Sequence, residues 1–280
     1  MDPFFYPVIV AGVLGGASAG LLGSYIVGMR IPFVGVCMSH AAMAGAIWGA
    51  AFGIDEQAAA AAAALATALA LSLKGPGAAR GRGRIADDVA MSVAFSTTMG
   101  ITFLGLGLLR NAKGPMLALL WGNLLLVDWR TLGTVLVSTA LVLLFAGLFG
   151  KEMRLLLISR SLASAGGVHE RLVYVLFLCL CALTITVNLR AVGGLMVFSL
   201  ISNPAAAAYL ALRGYRPLVA GSAALGALSA LGGFAISFLL DLPTGACIAL
   251  VSAGGFGTAL LLSRHRDVGP FVPAEDRGAE

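Results

Sequence analysis

The chain has 280 residues, of which 59% are hydrophobic and 11% charged, with a formal net charge of +5 and a mean hydropathy of +0.96. Soluble globular domains usually carry about 25% charged residues, and apolar segments here run from end to end, which excludes a soluble domain with a single membrane anchor. The positive charge does not indicate nucleic-acid binding, because the Lys and Arg residues lie in short loops between apolar segments, as the positive-inside rule predicts.

The apolar segments are long enough to cross a bilayer as helices. Nine windows contain no Asp, Glu, Lys or Arg and have about 17 residues or more, enough to cross a hydrocarbon core of roughly 30 Å. A tenth, 114–127, has about 14 residues and is rich in leucine around Trp121, Gly122 and Asn123, so we predict a re-entrant or interfacial segment there. The nine long windows are 3–29, 31–54, 57–73, 89–109, 131–150, 172–189, 191–212, 217–240 and 242–263.

Basic loops give the orientation of these windows. Lys and Arg are concentrated at 74–84, 151–171, 213–216 and 264–266. Placing all four loops in the cytoplasm leaves two spans between neighbouring loops, provided that the tenth window does not cross the membrane. The prediction is an all-α fold, a polytopic membrane helical bundle of about nine spans with its N-terminus outside and its C-terminus inside. Eight spans is the alternative, if one window merges with another or lies flat.

The window 31–54 carries a polar pair near its first third, Ser39 followed by His40. An imidazole in hydrocarbon is costly, and ionisable groups in membrane spans usually face a bundle interior or a transport pathway. Of the three histidines, His40 alone is placed in this way. We therefore predict that it is either hydrogen-bonded within the bundle or a transient metal ligand.

Small residues are abundant, with 37 glycines in the chain. Small residues allow close helix packing in membranes, where lipid provides no hydrophobic drive for association. Two sets of glycines are predicted to form such packing faces: Gly12, Gly15, Gly16 and Gly20 near the N-terminus, and Gly226, Gly232 and Gly233 further along.

The basic loop 152–171 has the length of a loop but the pattern of a short amphipathic helix. Leu155, Ile158 and Leu162 recur at helical spacing, and Gly166 and Gly167 are typical of a helix C-terminus. Such a helix either docks into a groove on a soluble partner or lies on the bilayer surface, which basic residues also favour. The residues alone leave both interpretations open.

Six segments, spread over most of the chain, carry a combined signal: GVCMSHAAMAG at 35–45, LLWGNLL at 119–125, ASAGGV at 163–168, LRAVG at 189–193, NPAAAA at 203–208 and DLPTG at 241–245. The combination of Ser-His-Ala with Asp-Leu-Pro-Thr-Gly at this distance is the strongest part of it. Together, and in the expected order, these segments resemble the membrane permeases of metal-ion ABC importers of the zinc, manganese and iron uptake type.

The resemblance implies one half of a transporter in the bacterial cytoplasmic (inner) membrane. Two permease chains, identical or homologous, would form the pathway among the membrane lipids, with two cytoplasmic ABC ATPase subunits and an extracytoplasmic metal-binding protein as partners. The chain would be a permease and not an enzyme, with no permanently bound cofactor and a transported metal ion that binds only transiently. Its lack of a phosphate-binding Gly-x-x-x-x-Gly-Lys-Ser/Thr loop fits that expectation.

The same resemblance assigns regions and roles. Residues 1–263 would form the transmembrane permease domain and 264–280 a cytoplasmic, poorly ordered tail. Within the coupling loop, 151–171, a coupling helix would contact the ATPase. Its contact residues would be Ser159, Arg160, Leu162, Ala163, Gly166 and Gly167.

One departure from the family pattern affects the metal site. Where the family places an Asp four residues before the histidine, this chain has Val36. His40 then remains with Cys37 and Met43 at one-turn spacings, and these softer ligands suit zinc, copper(I) or iron(II) better than manganese. Either the substrate differs, or the carboxylate belongs to a second, homologous permease. His40 and Cys37 are the predicted metal ligands.

The remaining candidates concern the pathway or its gates: Ser39, Asn203, Pro204 and Asp241. A proline inside a span removes one backbone hydrogen bond and kinks the helix, so Pro204 marks a structural kink or a bend that lines the pathway. Asp241 precedes Pro243 at an outer turn, where a turn anchor is favoured over a metal gate.

Three alternatives come from other functional classes. A permease for a metal chelate or for cobalamin would have similar spans and a coupling helix. An ion-driven secondary transporter usually places Asp or Glu inside its spans, and the charge-free windows argue against it. An intramembrane enzyme is disfavoured because Ser39 and His40, adjacent in sequence, do not share a helix face.

Overall fold

The computed structural model describes residues 5–73, 87–108, 122, 127–158, 167, 169–193 and 197–263, and the regular secondary structure of this part is entirely α-helical. The predicted all-α class is therefore confirmed. The predicted tail 264–280 and most of the tenth window, 114–127, lie outside the described residues. The helices are α1 (Phe5–Gly28), α2 (Phe33–Ala51), α3 (Glu56–Leu73), α4 (Asp87–Leu108), α5 (Trp129–Leu148), α6 (Gly150–Ile158), α7 (Glu170–Val192), α8 (Val197–Ala211), α9 (Tyr215–Leu240) and α10 (Thr244–Ser263).

Eight of the described helices are long and apolar enough to span a membrane, all except α6 and α8. The window 191–212, predicted as a span of its own, is divided in the structure. Its first residues complete α7, Gly193 follows with a φ of +93°, and α8 begins only at Val197. With 15 residues α8 is about 22 Å long, short of a full hydrocarbon core. A window defined by absence of charge does not detect such a break.

Contacts between neighbouring helices fix the direction of α4. The Cys37 thiol donates a hydrogen bond to the Met91 carbonyl (3.1 Å), and the Trp48 indole donates to the Ile101 carbonyl (3.1 Å). Both residue numbers increase together along α2 and α4, so these two helices run parallel.

The direction of α5 follows from α7 and α1. Ser138 of α5 bonds Thr184 of α7, and Phe145 stacks against Phe177, so α5 and α7 run antiparallel. Because Tyr25, in the last turn of α1, also packs on Phe177, in the first half of α7, α1 and α7 are antiparallel as well. The turn at 29–32 reverses the chain between α1 and α2, so α4 and α5 run in opposite directions. Leu108 and Asp128 thus lie on the same side of the membrane, as the predicted orientation requires.

The interior of the bundle is formed mainly by α1, α2 and α7, whose span-length windows are mostly buried. In α3, α4, α9 and α10 less than a third of the span-length window is buried, and α4, α5 and α10 present Leu, Val, Ile and Phe side chains outward. Apolar side chains on the outer surface are what a lipid environment requires. The described fold is therefore that of a multi-pass membrane protein with three central helices.

Glycines bring α1 and α9 into backbone contact. A Cβ atom at Gly16 would lie 2.5 Å from the Gly226 carbonyl oxygen, and one at Gly20 would meet the Ser222 carbonyl oxygen. On the other face of α1, a Cβ at Gly15 would meet the Asn188 side chain of α7. These contacts confirm Gly15, Gly16, Gly20 and Gly226 as packing glycines.

Candidate functional site

His40 lies in the first half of α2 and is buried, with 4% of its surface exposed. Its ring meets the Phe95 ring of α4 edge-on, with 4.9 Å between the centroids. The Nδ1 atom is buried and has no hydrogen-bond partner among the described residues. An unsatisfied buried nitrogen is costly and rare in folded proteins. The Nδ1 atom of His40 can accept a hydrogen bond or coordinate a metal ion.

Cys37 lies one turn earlier on the same side of α2. Its thiol is fully buried and donates to the Met91 carbonyl of α4. The spacing thus places both predicted ligands against α4, but the thiol already has a structural partner, while His40 Nδ1 has none within the described part of the chain. Val36, at the position of the family carboxylate, is half-buried and lies next to Gly35, which faces Phe198 of α8.

The Ser39 side chain forms a hydrogen bond within its own helix. Its hydroxyl is buried and donates to the Gly35 carbonyl at 2.8 Å, one turn back. Because the single hydroxyl proton is used there, Ser39 is not poised to give it to His40. This arrangement argues against a Ser-His nucleophile.

Among the residues that the structure describes, no group of three or more His, Cys, Asp and Glu side chains is placed to hold a metal ion. A structural zinc site is a closed set of four protein ligands. This part of a single chain therefore offers at most a partial site, built around His40.

Asn203 and Pro204 both lie in α8. The Asn203 amide donates to the Ser252 hydroxyl of α10 at 3.0 Å, and Ser252 donates to the Ala249 carbonyl. Asn203 thus joins α8 to α10. Pro204 is buried, and α8 continues through it from Val197 to Ala211. A role of these two residues in the pathway stays a prediction.

Asp241 is exposed at the end of α9, in the left-handed conformation (φ 53°, ψ 45°), which Asp adopts more readily than most residues. The turn is held by Ser237, whose hydroxyl donates to the Leu242 carbonyl (2.6 Å) and contacts the Thr244 hydroxyl (3.0 Å). The described bonds of this turn come from Ser237 and not from the Asp241 side chain, so a role of Asp241 as turn anchor or as metal gate stays a prediction.

The coupling loop begins with the short helix α6. It starts at Gly150, and its buried side chains are Met153 and Leu156. In the single chain Leu155 is half-buried and Ile158 is 41% exposed, while Leu162 lies outside the described residues. An exposed side chain is open to a partner or to lipid, so the apolar stripe of Leu155, Ile158 and Leu162 stays a prediction.

Most of the predicted ATPase contacts lie outside the described residues. These are Ser159, Arg160, Leu162, Ala163 and Gly166. Gly167 is described as an exposed turn residue with a φ of +74°, a conformation that glycine adopts without a steric penalty.

The partners of His40 and Cys37 could not be predicted from the sequence. Phe95 contacts His40 and Met91 accepts the bond from Cys37, yet each pair is separated by more than 50 positions. No sequence pattern indicates a role for three tyrosines at one end of the bundle that make hydrogen bonds between helices: Tyr25, Tyr209 and Tyr215.

Comparison with known proteins gives consistent results. Residues 1–263 match the ABC 3 transport family. The manganese transport system membrane protein MntC of Halalkalibacterium halodurans is 26% identical over 269 residues, covering 95% of this chain and 89% of that protein. The high-affinity zinc uptake system membrane protein ZnuB of Haemophilus influenzae is 23% identical over 253 residues, covering 90% and 95%.

A solved structure shares the fold. The structure described as PsaBC from Streptococcus pneumoniae in complex with Fab superposes with a TM-score of 0.81, covering 99% of this chain and 95% of that chain at 21% sequence identity. The likeness extends over nearly the whole of both chains, which places all the described helices within one known architecture.

Proposed function

The chain belongs to the ABC 3 transport family, and from this premise we propose that it is the permease of an importer for a divalent transition-metal ion: zinc, manganese or iron. The observation that carries the proposal is His40, a buried imidazole inside a membrane span with its Nδ1 unpartnered among the described residues. The relatives named for manganese and zinc transport support the substrate class.

The proposed pathway uses a weak site. An ion in transit must bind well enough to enter and weakly enough to leave. One imidazole from a chain, completed by water or by a second permease chain, meets that condition better than a closed four-ligand cage. His40 would accept the ion with a lone pair of a neutral ring nitrogen, and Cys37 would join only by giving up its bond to Met91.

Energy and delivery are proposed to come from other subunits. Two cytoplasmic ABC ATPases would bind the coupling loops of two permease chains, and an extracytoplasmic protein would deliver the metal ion. The permease itself would catalyse no reaction. We place it in the bacterial cytoplasmic membrane, with residues 1–263 as the permease domain and 264–280 as a cytoplasmic tail.

Metal accumulation in cells tests the function. The permease is expressed with its ATPase and binding protein in cells that lack their own uptake systems, and zinc, manganese and iron are each measured. Uptake of one ion above cells without the permease is expected. Uptake of none of the three bare ions would contradict the proposal and favour a permease for a metal chelate.

Restoring the missing carboxylate should change the metal preference. We expect Val36→Asp to raise manganese uptake relative to zinc several-fold, because the new carboxylate lies one helical turn from His40 and hard oxygen ligands favour manganese. The matched control is Val36→Asn, which has the same shape without the charge. Equal manganese-to-zinc ratios in the two variants would show that position 36 does not contact the ion.

A further inference from the structure

We propose that a hydrogen-bond chain from Tyr25 through Tyr215 to the Gly150 carbonyl transmits movement of the coupling loop to the transmembrane helices. This inference rests on the proposed function, since it assumes that an ATPase acts on that loop. Its basis is a set of contacts that join α1, α9 and α6 at one point.

Donor and acceptor can be assigned at each step of this hydrogen-bond chain. The Tyr215 hydroxyl donates to the Gly150 carbonyl oxygen at 2.8 Å, and the Tyr25 and Tyr215 hydroxyl oxygens are 3.0 Å apart. A phenol has a single proton to donate. Since Tyr215 uses its proton on Gly150, Tyr25 must donate to Tyr215.

The three residues lie on three different helices. Tyr25 is fully buried in the last turn of α1, and Tyr215 is the first residue of α9. Gly150 is the first residue of α6, after Phe149, the single residue that separates α6 from α5. In the sequence, the predicted ATPase contacts begin at Ser159, directly after Ile158, the last residue of α6. A force on Ile158 would reach the Gly150 carbonyl through this one short helix.

Further contacts join helices close to Tyr25 and Tyr215. The Arg154 guanidinium lies 6.0 Å from the centroid of the Tyr215 ring, within the range of a cation–π interaction. The Tyr209 hydroxyl of α8 donates to the Ser24 carbonyl of α1 at 2.9 Å. At the end of α1, a Cβ atom on Gly28 would lie 2.6 Å from a methyl group of Leu157 in α6. Four helices thus meet around the tyrosines.

The nature of these contacts suits transmission. Apolar surfaces can slide past one another, whereas Tyr25, a fully buried residue, would leave its hydroxyl unsatisfied if it lost Tyr215, which is costly. The bond from Tyr215 to Gly150 is part-buried, so its loss would cost less. Separation of α6 from α1 and α9 is therefore penalised, and the three are expected to move together. From there the close glycine contacts of α1 with α9 extend the movement along the bundle.

The test removes single hydroxyl groups. Tyr215→Phe and Tyr25→Phe keep the rings, including the contact of Tyr25 with Phe177 (5.9 Å between centroids). In the reconstituted complex with its ATPase and binding protein, Tyr215→Phe is expected to lower metal transported per ATP hydrolysed by at least about fivefold, the lower end of typical coupling free energies. Tyr25→Phe should have a smaller effect in the same direction. Tyr6→Phe, at the other end of α1 and 61% exposed, is the matched control.

A purely structural role would lower the thermal stability and the two rates together, without changing their ratio. An unchanged ratio in both Tyr215→Phe and Tyr25→Phe would overturn the proposal.

A second measurement needs no transported ion. Amide hydrogen exchange at the inner ends of α1 and α9 is compared with and without trapped ATP in the complex. Wild type should show an ATP-dependent change there that Tyr215→Phe loses; the same change in both proteins would refute the relay. If wild type moves none of the three metals, the substrate assignment fails, and this second measurement still decides the relay.

Discussion

Replacing His40 with alanine is expected to reduce metal uptake about tenfold or more without preventing membrane insertion. Loss of a residue that merely supports a metal ligand commonly costs 10–100-fold in metal affinity, and loss of the ligand itself should cost no less. Insertion should survive because alanine is apolar and α2 is otherwise built from apolar and small residues. Initial rates of uptake, normalised to permease abundance in the membrane, are the measurement.

The matched control for this variant is His169→Ala. His169 precedes α7, is exposed, and makes no side-chain cap hydrogen bond, so its loss should leave uptake near the wild-type rate. If His40→Ala and His169→Ala transport equally well at equal abundance, His40 is not a ligand on the pathway. Its buried nitrogen would then need another explanation, such as a partner from a second chain.

Spans could be predicted from the sequence because the cost of burying charge in lipid is local to each segment. Eight of the nine charge-free windows are span-length helices in the structure. Leu108 and Asp128 lie on the same side of the membrane, which agrees with the number of spans counted between the basic loops. The ninth window did not form one span-length helix, because the break at Gly193 depends on backbone conformation, which charge does not report.

The candidate site could be predicted only in part, for a related reason. His40 is conspicuous in any sequence, since an imidazole among apolar residues has few structural uses in a membrane. Its surroundings are not conspicuous, because Phe95 reaches it from a helix that begins 47 residues later. The pairing of Tyr25 with Tyr215 spans 190 positions, and a single sequence contains no pattern that joins them.

Substituting Gly226 with alanine is expected to destabilise the permease by about 1–3 kcal/mol, the usual cost of overpacking a tight interior. The added Cβ would meet the Gly16 carbonyl oxygen and lie 3.2 Å from the Gly20 Cα atom. Both neighbours are backbone atoms, so no side chain can rotate out of the way, and α1 and α9 must separate. In lipid that separation forfeits packing that hydrophobic association cannot replace. Thermal unfolding of the detergent-solubilised protein measures the effect.

Gly254→Ala is the matched control, because it adds the same methyl group at a position with open space around it. Gly254 lies in α10, and a Cβ built there meets no atom of the described residues within 4 Å. Alanine favours a helix over glycine by up to about 1 kcal/mol, so this variant should be neutral or slightly more stable. The two substitutions make the same chemical change, but only Gly226→Ala should lower the unfolding temperature. Equal shifts would mean that α1 and α9 are not held in backbone contact, and transmission from the tyrosines along these helices would lose its route.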